Sequence, residues 1–202
     1  AYNVRNATAA EVTKAMRTQD KLTDPVMKYQ FLDLGKSEGI NAKTLDKLLV
    51  GKGALAGQGR AFAKAAQQFN INEVYLIAHA ILETGHGSSR LANGLSINST
   101  NTATTSKGTK YFNMYGAKAD DNNPEVGGIK YAKAQGWDNP SKAIVGGAKY
   151  VRSAYIDHGQ RTLHQRRWNP ANPATHQYAT DINWAAKNAA IIASMYKTLG
   201  LD

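Results

Sequence analysis

The most continuous apolar stretch in the chain is Val74-Tyr75-Leu76-Ile77-Ala78-His79-Ala80-Ile81-Leu82, interrupted only by His79. With Asn72 available as a cap before it and Gly85 as a stop after it, the stretch predicts a buried helix that ends at Glu83. Elsewhere the pattern is amphipathic or polar. Residues 9–17 have helical potential within a polar N-terminal segment, and Pro25 opens a helix-like segment over 26–32. Asn41 can cap a helix over 42–50 that ends at Gly51-Lys52-Gly53. Residues 58–69 form an Ala-rich amphipathic helix, and 88–92 a short one stopped by Asn93-Gly94. From 97 to 123 the texture turns to Asn, Thr, Ser and Gly with aromatics at Tyr111, Phe112 and Tyr115, and 109–114 resembles a strand. Helices resume at 125–135 and 141–158. Pro170 and Pro173 force an irregular loop over 167–176. A last amphipathic helix spans 184–199, with Ala185, Ala189, Ile192, Met195 and Tyr196 on or near one face. The pattern predicts a small β lobe, 97–123, inserted into a helical domain, after an N-terminal cap or linker-proximal segment in residues 1–25.

Composition narrows the class. The 202 residues are 42% hydrophobic and 20% charged, enough for one sizeable core. No apolar run approaches the ~20 residues that span a bilayer, so no membrane insertion is expected. The chain opens Ala1-Tyr2-Asn3, as expected of an excised domain or a mature product. It has no cysteine, which excludes disulfides and thiolate zinc sites. That suits secretion from a bacterium that does not rely on disulfides, and equally the cytosol. The net charge of +10 favours a polyanionic partner, whether nucleic acid, an anionic membrane face or an anionic cell wall, or serves solubility alone. Apart from Arg161, Arg166 and Arg167 the basic residues are dispersed, which weakens the nucleic-acid reading.

Glu83 is the strongest chemical candidate. A helix C-terminus carries partial negative charge, and an apolar surround disfavours an ionised carboxylate. Both push its pKa up, as a general acid at neutral pH requires. His79 lies four residues earlier on the same helical face and His86 three residues later. That spacing could hold a metal, but it lacks the paired-histidine arrangement of known zinc helices, and His79 reads more simply as a core residue or a partner of Glu83. Asp120-Asp121 supplies either a second carboxyl group for glycoside hydrolysis or an ordinary turn before Pro124. The segment Arg167-Trp168-Asn169-Pro170 through Gln177-Tyr178-Ala179-Thr180-Asp181 suits carbohydrate, with flat aromatic faces for sugar C–H groups and amides for hydroxyls. It suits equally a Pro-pinned loop that covers the core.

Taken together, residues 72–85 and the stretches Tyr29-Gln30-Phe31-Leu32, Lys110-Tyr111-Phe112-Asn113, Gly128-Ile129-Lys130-Tyr131-Ala132, Gly136-Trp137-Asp138, Arg167-Trp168-Asn169-Pro170 and Gln177-Tyr178-Ala179-Thr180-Asp181 resemble glycoside hydrolase family 73. The likeness is to the N-acetylglucosaminidase domains of modular Gram-positive autolysins and runs from about residue 25 to 200. It implies an α+β, mainly α, lysozyme-like domain at 26–202, with a cleft between the helical body and the β lobe. It implies hydrolysis of the β-1,4 bond between N-acetylglucosamine and N-acetylmuramic acid in peptidoglycan. It matches Glu83 to the catalytic acid, Asp121 to the acid of the β lobe and Tyr178 to a cleft tyrosine. Asn113, Gln177 and Asp181 fall at positions expected to line the sugar sites, and Phe112, Trp168 and His79 are further candidates for substrate binding. This chain has Asp120 where many relatives have Tyr, which places two acids side by side.

The same resemblance implies a secreted monomer at the bacterial cell wall, without cofactor or metal. Its partners would be peptidoglycan strands and anionic wall polymers such as teichoic acids, not nucleic acid. Two mechanisms stay open: Asp121 activates water, or the substrate's own 2-acetamido group attacks. Competing functions are a lytic transglycosylase or muramidase on the same fold, and a non-catalytic wall-binding module.

Overall fold

The computed structural model describes residues 4–120 and 122–202. Helix α1 (Ala9–Met16) begins at Thr8 with a capping box to Glu11 and buries none of its side chains. A 3-10 turn at Met27–Phe31 takes the place of the expected helix at 26–32. Asn41 caps α2 (Ala42–Leu49), its side chain accepting from Thr44 N. Helix α3 (Gly59–Phe69) packs between α2 and α7 (Pro140–Ala154).

The apolar run forms α4 (Glu73–Glu83), capped by Asn72 as expected. Val74, Leu76, Ile77 and Ala80 are wholly buried against α2, α3 and α9 (Trp184–Leu199). Only the last turn leaves the core, so Leu82 is 68% exposed. The start of α4 is held by a polar knot. Glu73, 0% exposed, accepts from Glu38 N at 2.9 Å and Ile40 N at 2.7 Å. Asn72 Nδ2 donates to Glu38 Oε1 and to the Tyr196 hydroxyl, each at 2.8 Å.

The smaller lobe is built from α5 (Arg90–Asn93), strands β1 (Ser96–Ile97) and β2 (Ala103–Thr104), and α6 (Pro124–Gln135). The strands pair antiparallel, Ser96 opposite Thr104 and Ile97 opposite Ala103. The strand expected at 109–114 is reduced to one bridge between Leu95 and Tyr111. Asn113 explains the loss, because its side chain turns the chain away from a ladder. Its Oδ1 accepts from Ala117 N at 3.1 Å, and its Nδ2 donates to Ala117 O at 2.9 Å and Gly128 O at 3.2 Å.

A second departure is α8 (Leu163–Trp168), inside a stretch for which no helix was expected. Thr162 and Gln165 make a reciprocal capping box, and the helix ends at Asn169 in the left-handed region, φ 44°, just before Pro170. The proline therefore ends a helix rather than preventing one. Helix α7 is likewise shorter than the 141–158 expected, giving way to a 3-10 turn at Ile156–His158. No helix among the described residues is long and apolar enough to cross a membrane.

Candidate active site

Glu83 is the last residue of α4, and the chain behind it is tied down tightly. Thr84 Oγ1 donates to Ala80 O at 2.6 Å and accepts from Gly87 N at 2.9 Å, while His86 N donates to Ile81 O at 2.8 Å. Gly85, His86 and Gly87 all have positive φ, at 54°, 59° and 80°. The resulting hook locks onto the 52–54 turn, where Ala54 N donates to Gly87 O at 3.0 Å. Glu83 thus projects from a rigid end rather than a fraying one.

The small lobe meets it at Gly116. A Cβ built on that glycine would lie 2.6 Å from Glu83 Oε2, and its φ of 65° belongs to the left-handed region. Bare backbone therefore closes against the carboxylate, where any side chain would collide with it. Asn113 holds this turn from one side. Tyr115 holds it from the other, its buried hydroxyl donating to Ile144 O at 2.8 Å. The outer side of Glu83 is open to solvent and the inner side is enclosed. Burial alone raises its pKa; no charged group is needed to explain the shift, and no described residue pairs with it.

His79 sits one turn back, between Tyr75 at 5.9 Å and Tyr115 at 6.2 Å between ring centroids. A sliver of it reaches the surface, but most of the imidazole is packed in. Burial first and the Arg166 charge second press its pKa down to about 4. It is a neutral neighbour of the acid. His86 turns elsewhere and bonds Lys52 Nζ through Nδ1 at 3.1 Å, so His79 and His86 do not converge with Glu83 on one point. Among the described residues no three His, Asp or Glu side chains are grouped to hold a metal.

Tyr178 reaches the site from the loop after α8. Its ring stacks on Trp184 at 4.6 Å and packs against Tyr155 at 5.1 Å. Burial, then the neighbouring Tyr75 and Glu83, push its phenol up to about 12, which keeps it a neutral hydrogen-bond donor.

The other described candidates make contacts within the protein. Asn113 is 1% exposed with both ends of its amide engaged, and it shapes the Gly116 turn. Phe112 lies on Gly94, where a Cβ would come within 2.8 Å of its ring. Trp168 is buried under Arg167, whose guanidinium carbon lies 3.9 Å from the ring centroid. Gln177 bridges Arg167 Nη1 at 3.1 Å and Trp168 O at 3.0 Å. Asp181 is committed to Lys187 Nζ at 2.6 Å and Asn183 N at 2.9 Å. It faces a depression of about 1060 Å³ shared with Val4, Arg5 and Lys21, of which Glu83 is not part. Asp120 Oδ1 accepts from Asn122 N at 3.0 Å and Asn123 N at 3.1 Å, closing the turn into α6. Asp121 lies outside the described residues.

Sequence patterns did not single out Gly116, Tyr75, Tyr155 or Arg166 as parts of the site. Tyr75 and Arg166 sit inside helices. Only the Tyr-Gly pair at 115–116 carried a signal, and it reads as an ordinary turn.

Comparison with known proteins adds identity to this geometry. The glucosaminidase family, described as mannosyl-glycoprotein endo-beta-N-acetylglucosaminidase, matches residues 59–197. The bifunctional autolysin of Staphylococcus epidermidis is 50% identical over 195 residues, covering 96% of this chain. That of Staphylococcus aureus strain MSSA476 is 53% identical over 190 residues, covering 94%. The chain spans only 14% and 15% of the length of these two relatives. Among solved structures, a major bifunctional autolysin superposes with a TM-score of 0.84 at 50% identity, covering 97% of this chain and 79% of that one. A catalytic mutant of S. aureus autolysin E in complex with the disaccharide NAG-NAM superposes with a TM-score of 0.71 at 35% identity, covering 97% and 81%.

Proposed function

The chain belongs to the glucosaminidase family of glycoside hydrolases, and from that premise we propose that it cleaves the β-1,4 bond between N-acetylglucosamine and N-acetylmuramic acid in peptidoglycan. The observation that carries the proposal is the Glu83–Gly116 contact. It presents a carboxyl group, whose pKa burial raises, at the junction of the two lobes with one side open to solvent. The complex of autolysin E with NAG-NAM supports the substrate class.

In the proposed reaction the Glu83 proton passes to the glycosidic oxygen as its bond to C1 breaks. The bonding electrons leave with that oxygen, which departs as the hydroxyl of the next sugar. Positive charge builds on C1 and the ring oxygen. Water adds to C1 and gives up a proton to a base, leaving N-acetylglucosamine at the new reducing end. Asp121 is the candidate base, because Asp120 is spent on its turn. In the substrate-assisted variant the 2-acetamido oxygen closes on C1 first, and water then opens the ring. The neutral Tyr178 phenol is the candidate hydrogen-bond donor to that acetamide.

Glu83→Gln preserves shape and removes the proton. It is expected to abolish clearing of peptidoglycan in a gel while wall binding persists. Full clearing by this variant would sink the assignment. Mass spectrometry of the digest separates rival chemistries: reducing N-acetylglucosamine ends support the proposal, whereas 1,6-anhydromuramic or reducing muramic ends refute it. We place the protein outside the cell, at the wall, acting in wall remodelling or daughter-cell separation. Its +10 charge would hold it near teichoic acids and stem-peptide carboxylates.

A further inference from the structure

Arg166 is a buried cation that the reaction above leaves unused. It is 1% exposed, and its guanidinium has one hydrogen-bond partner, the Tyr75 hydroxyl, to which Nη1 donates. Nε and Nη2 are buried without a partner. No carboxylate pairs with it among the described residues. An unpaired buried guanidinium carries a heavy desolvation penalty, and an apolar side chain would fill the same space without one.

Aromatic faces receive the charge instead. The guanidinium carbon lies 4.5 Å from the Tyr75 ring centroid and 5.4 Å from that of Tyr155. Tyr155 packs at 5.1 Å against Tyr178, whose ring also stacks on Trp184. The main chain of residue 166 acts on the same tyrosine, its carbonyl accepting from Tyr178 N at 2.9 Å. Residue 166 therefore grips Tyr178 twice: directly through its backbone, and through the guanidinium by way of Tyr155.

We propose that Arg166 is a positioning residue for Tyr178, its guanidinium clamping Tyr75 and Tyr155 so that the Tyr178 ring is held in one place. This rests on the reading of Glu83 and Tyr178 given above. Lysine would keep the charge but lose the flat face and the fork that fit between two rings. The guanidinium of Arg166 faces Tyr75 from α4 and Tyr155 from the end of α7. Its charge reaches His79, where it adds to burial in keeping the imidazole neutral. It also opposes the upward shifts of Tyr155 and Tyr178.

The test is a double-mutant cycle. Arg166→Met, Arg166→Lys, Tyr178→Phe and the Arg166→Met/Tyr178→Phe pair are assayed for kcat and KM in reducing-end release from peptidoglycan, with thermal midpoints measured alongside. Tyr178→Phe and Arg166→Met should each lower kcat about tenfold or more, with a smaller change in KM. On the Tyr178→Phe background, Arg166→Met should cost less than about twofold, since the hydroxyl it positions is gone. The His79 titration midpoint, followed by NMR, should rise in Arg166→Met, which removes the charge, and stay lower in Arg166→Lys, which keeps it. If Arg166→Met fails to fold, Arg166→Lys enters the cycle in its place. A wild-type kcat in the Arg166 or the Tyr178 variant, or kcat losses that multiply in full, overturns the proposal. The underlying reading fails differently: the unaltered protein releases no reducing ends, or Glu83→Gln stays active.

Discussion

Gly116→Ala is the sharpest probe of this site because it separates geometry from stability. The added methyl would stand 2.6 Å from Glu83 Oε2 and 3.4 Å from its Cδ. Backbone does not cause that clash. The obstacle is the far end of a flexible side chain, so Glu83 can swing aside and the fold survives. Two costs follow. Holding alanine at φ 65° destabilises by about 1–3 kcal/mol. For a chain of this size each kcal/mol lowers the thermal midpoint by about 2–4 °C, so a fall of roughly 2–12 °C is expected. The catalytic cost is larger. Relief of the clash moves the carboxyl by about 1 Å, and displacement on that scale can slow an oriented proton transfer about 100-fold. Reducing-end release from peptidoglycan at 25 °C, beside a thermal melt, reads both numbers. A Gly116→Ala protein with near-wild-type kcat would refute the contact. So would an activity loss that simply tracks the unfolded fraction.

The remaining predictions address charge and burial. Activity should fall as pH rises through the elevated pKa of Glu83, because the proton donor is lost there; a rate that keeps rising with pH would contradict this. A raised folded-state pKa gives stability that is complete below the ordinary carboxylate value and lost as pH climbs through the raised one. At neutral pH, Glu83→Gln should therefore melt no lower than the wild type, and a clear fall would show that the carboxylate is a structural asset. Glu73→Ala leaves the N–H groups of Glu38 and Ile40 without an acceptor, which costs about 1–3 kcal/mol for each such group. A large drop in thermal midpoint with kcat preserved is expected, and an unchanged melt refutes the polar knot. Wall binding driven by the +10 charge should weaken as salt passes ~0.1 M, where the Debye length is about 10 Å; salt-independent retention in a sedimentation assay would refute it.

Local interactions account for what was legible in the chain. The Val74–Leu82 run, Asn72 before it and Gly85 after it specify α4 and its terminus through contacts a few residues apart. The same holds for α2 behind Asn41, for α3 and for α9. Glu83 could be picked out because the apolar run before it and the glycines after it are its neighbours in the chain. Where the reading slipped, two local signals competed. At 162–170 the Pro170 signal obscured the Thr162–Gln165 capping box. At 109–114 a strand-like stretch gave way to Asn113, whose side chain makes four hydrogen bonds.

What surrounds Glu83 was decided by tertiary structure alone. Gly116 meets it from 33 residues away, and Tyr178, Tyr155 and Arg166 arrive from the far side of α7 and α8. Asn113, Gln177 and Asp181 bond partners such as Gly128, Arg167 and Lys187, to which no spacing rule points. Helix propensity, capping and turn chemistry act within about one turn of chain and are written in the order of residues. A cleft is made by surfaces that meet only after the core has closed, so Glu83 stood out in the sequence and its surroundings did not.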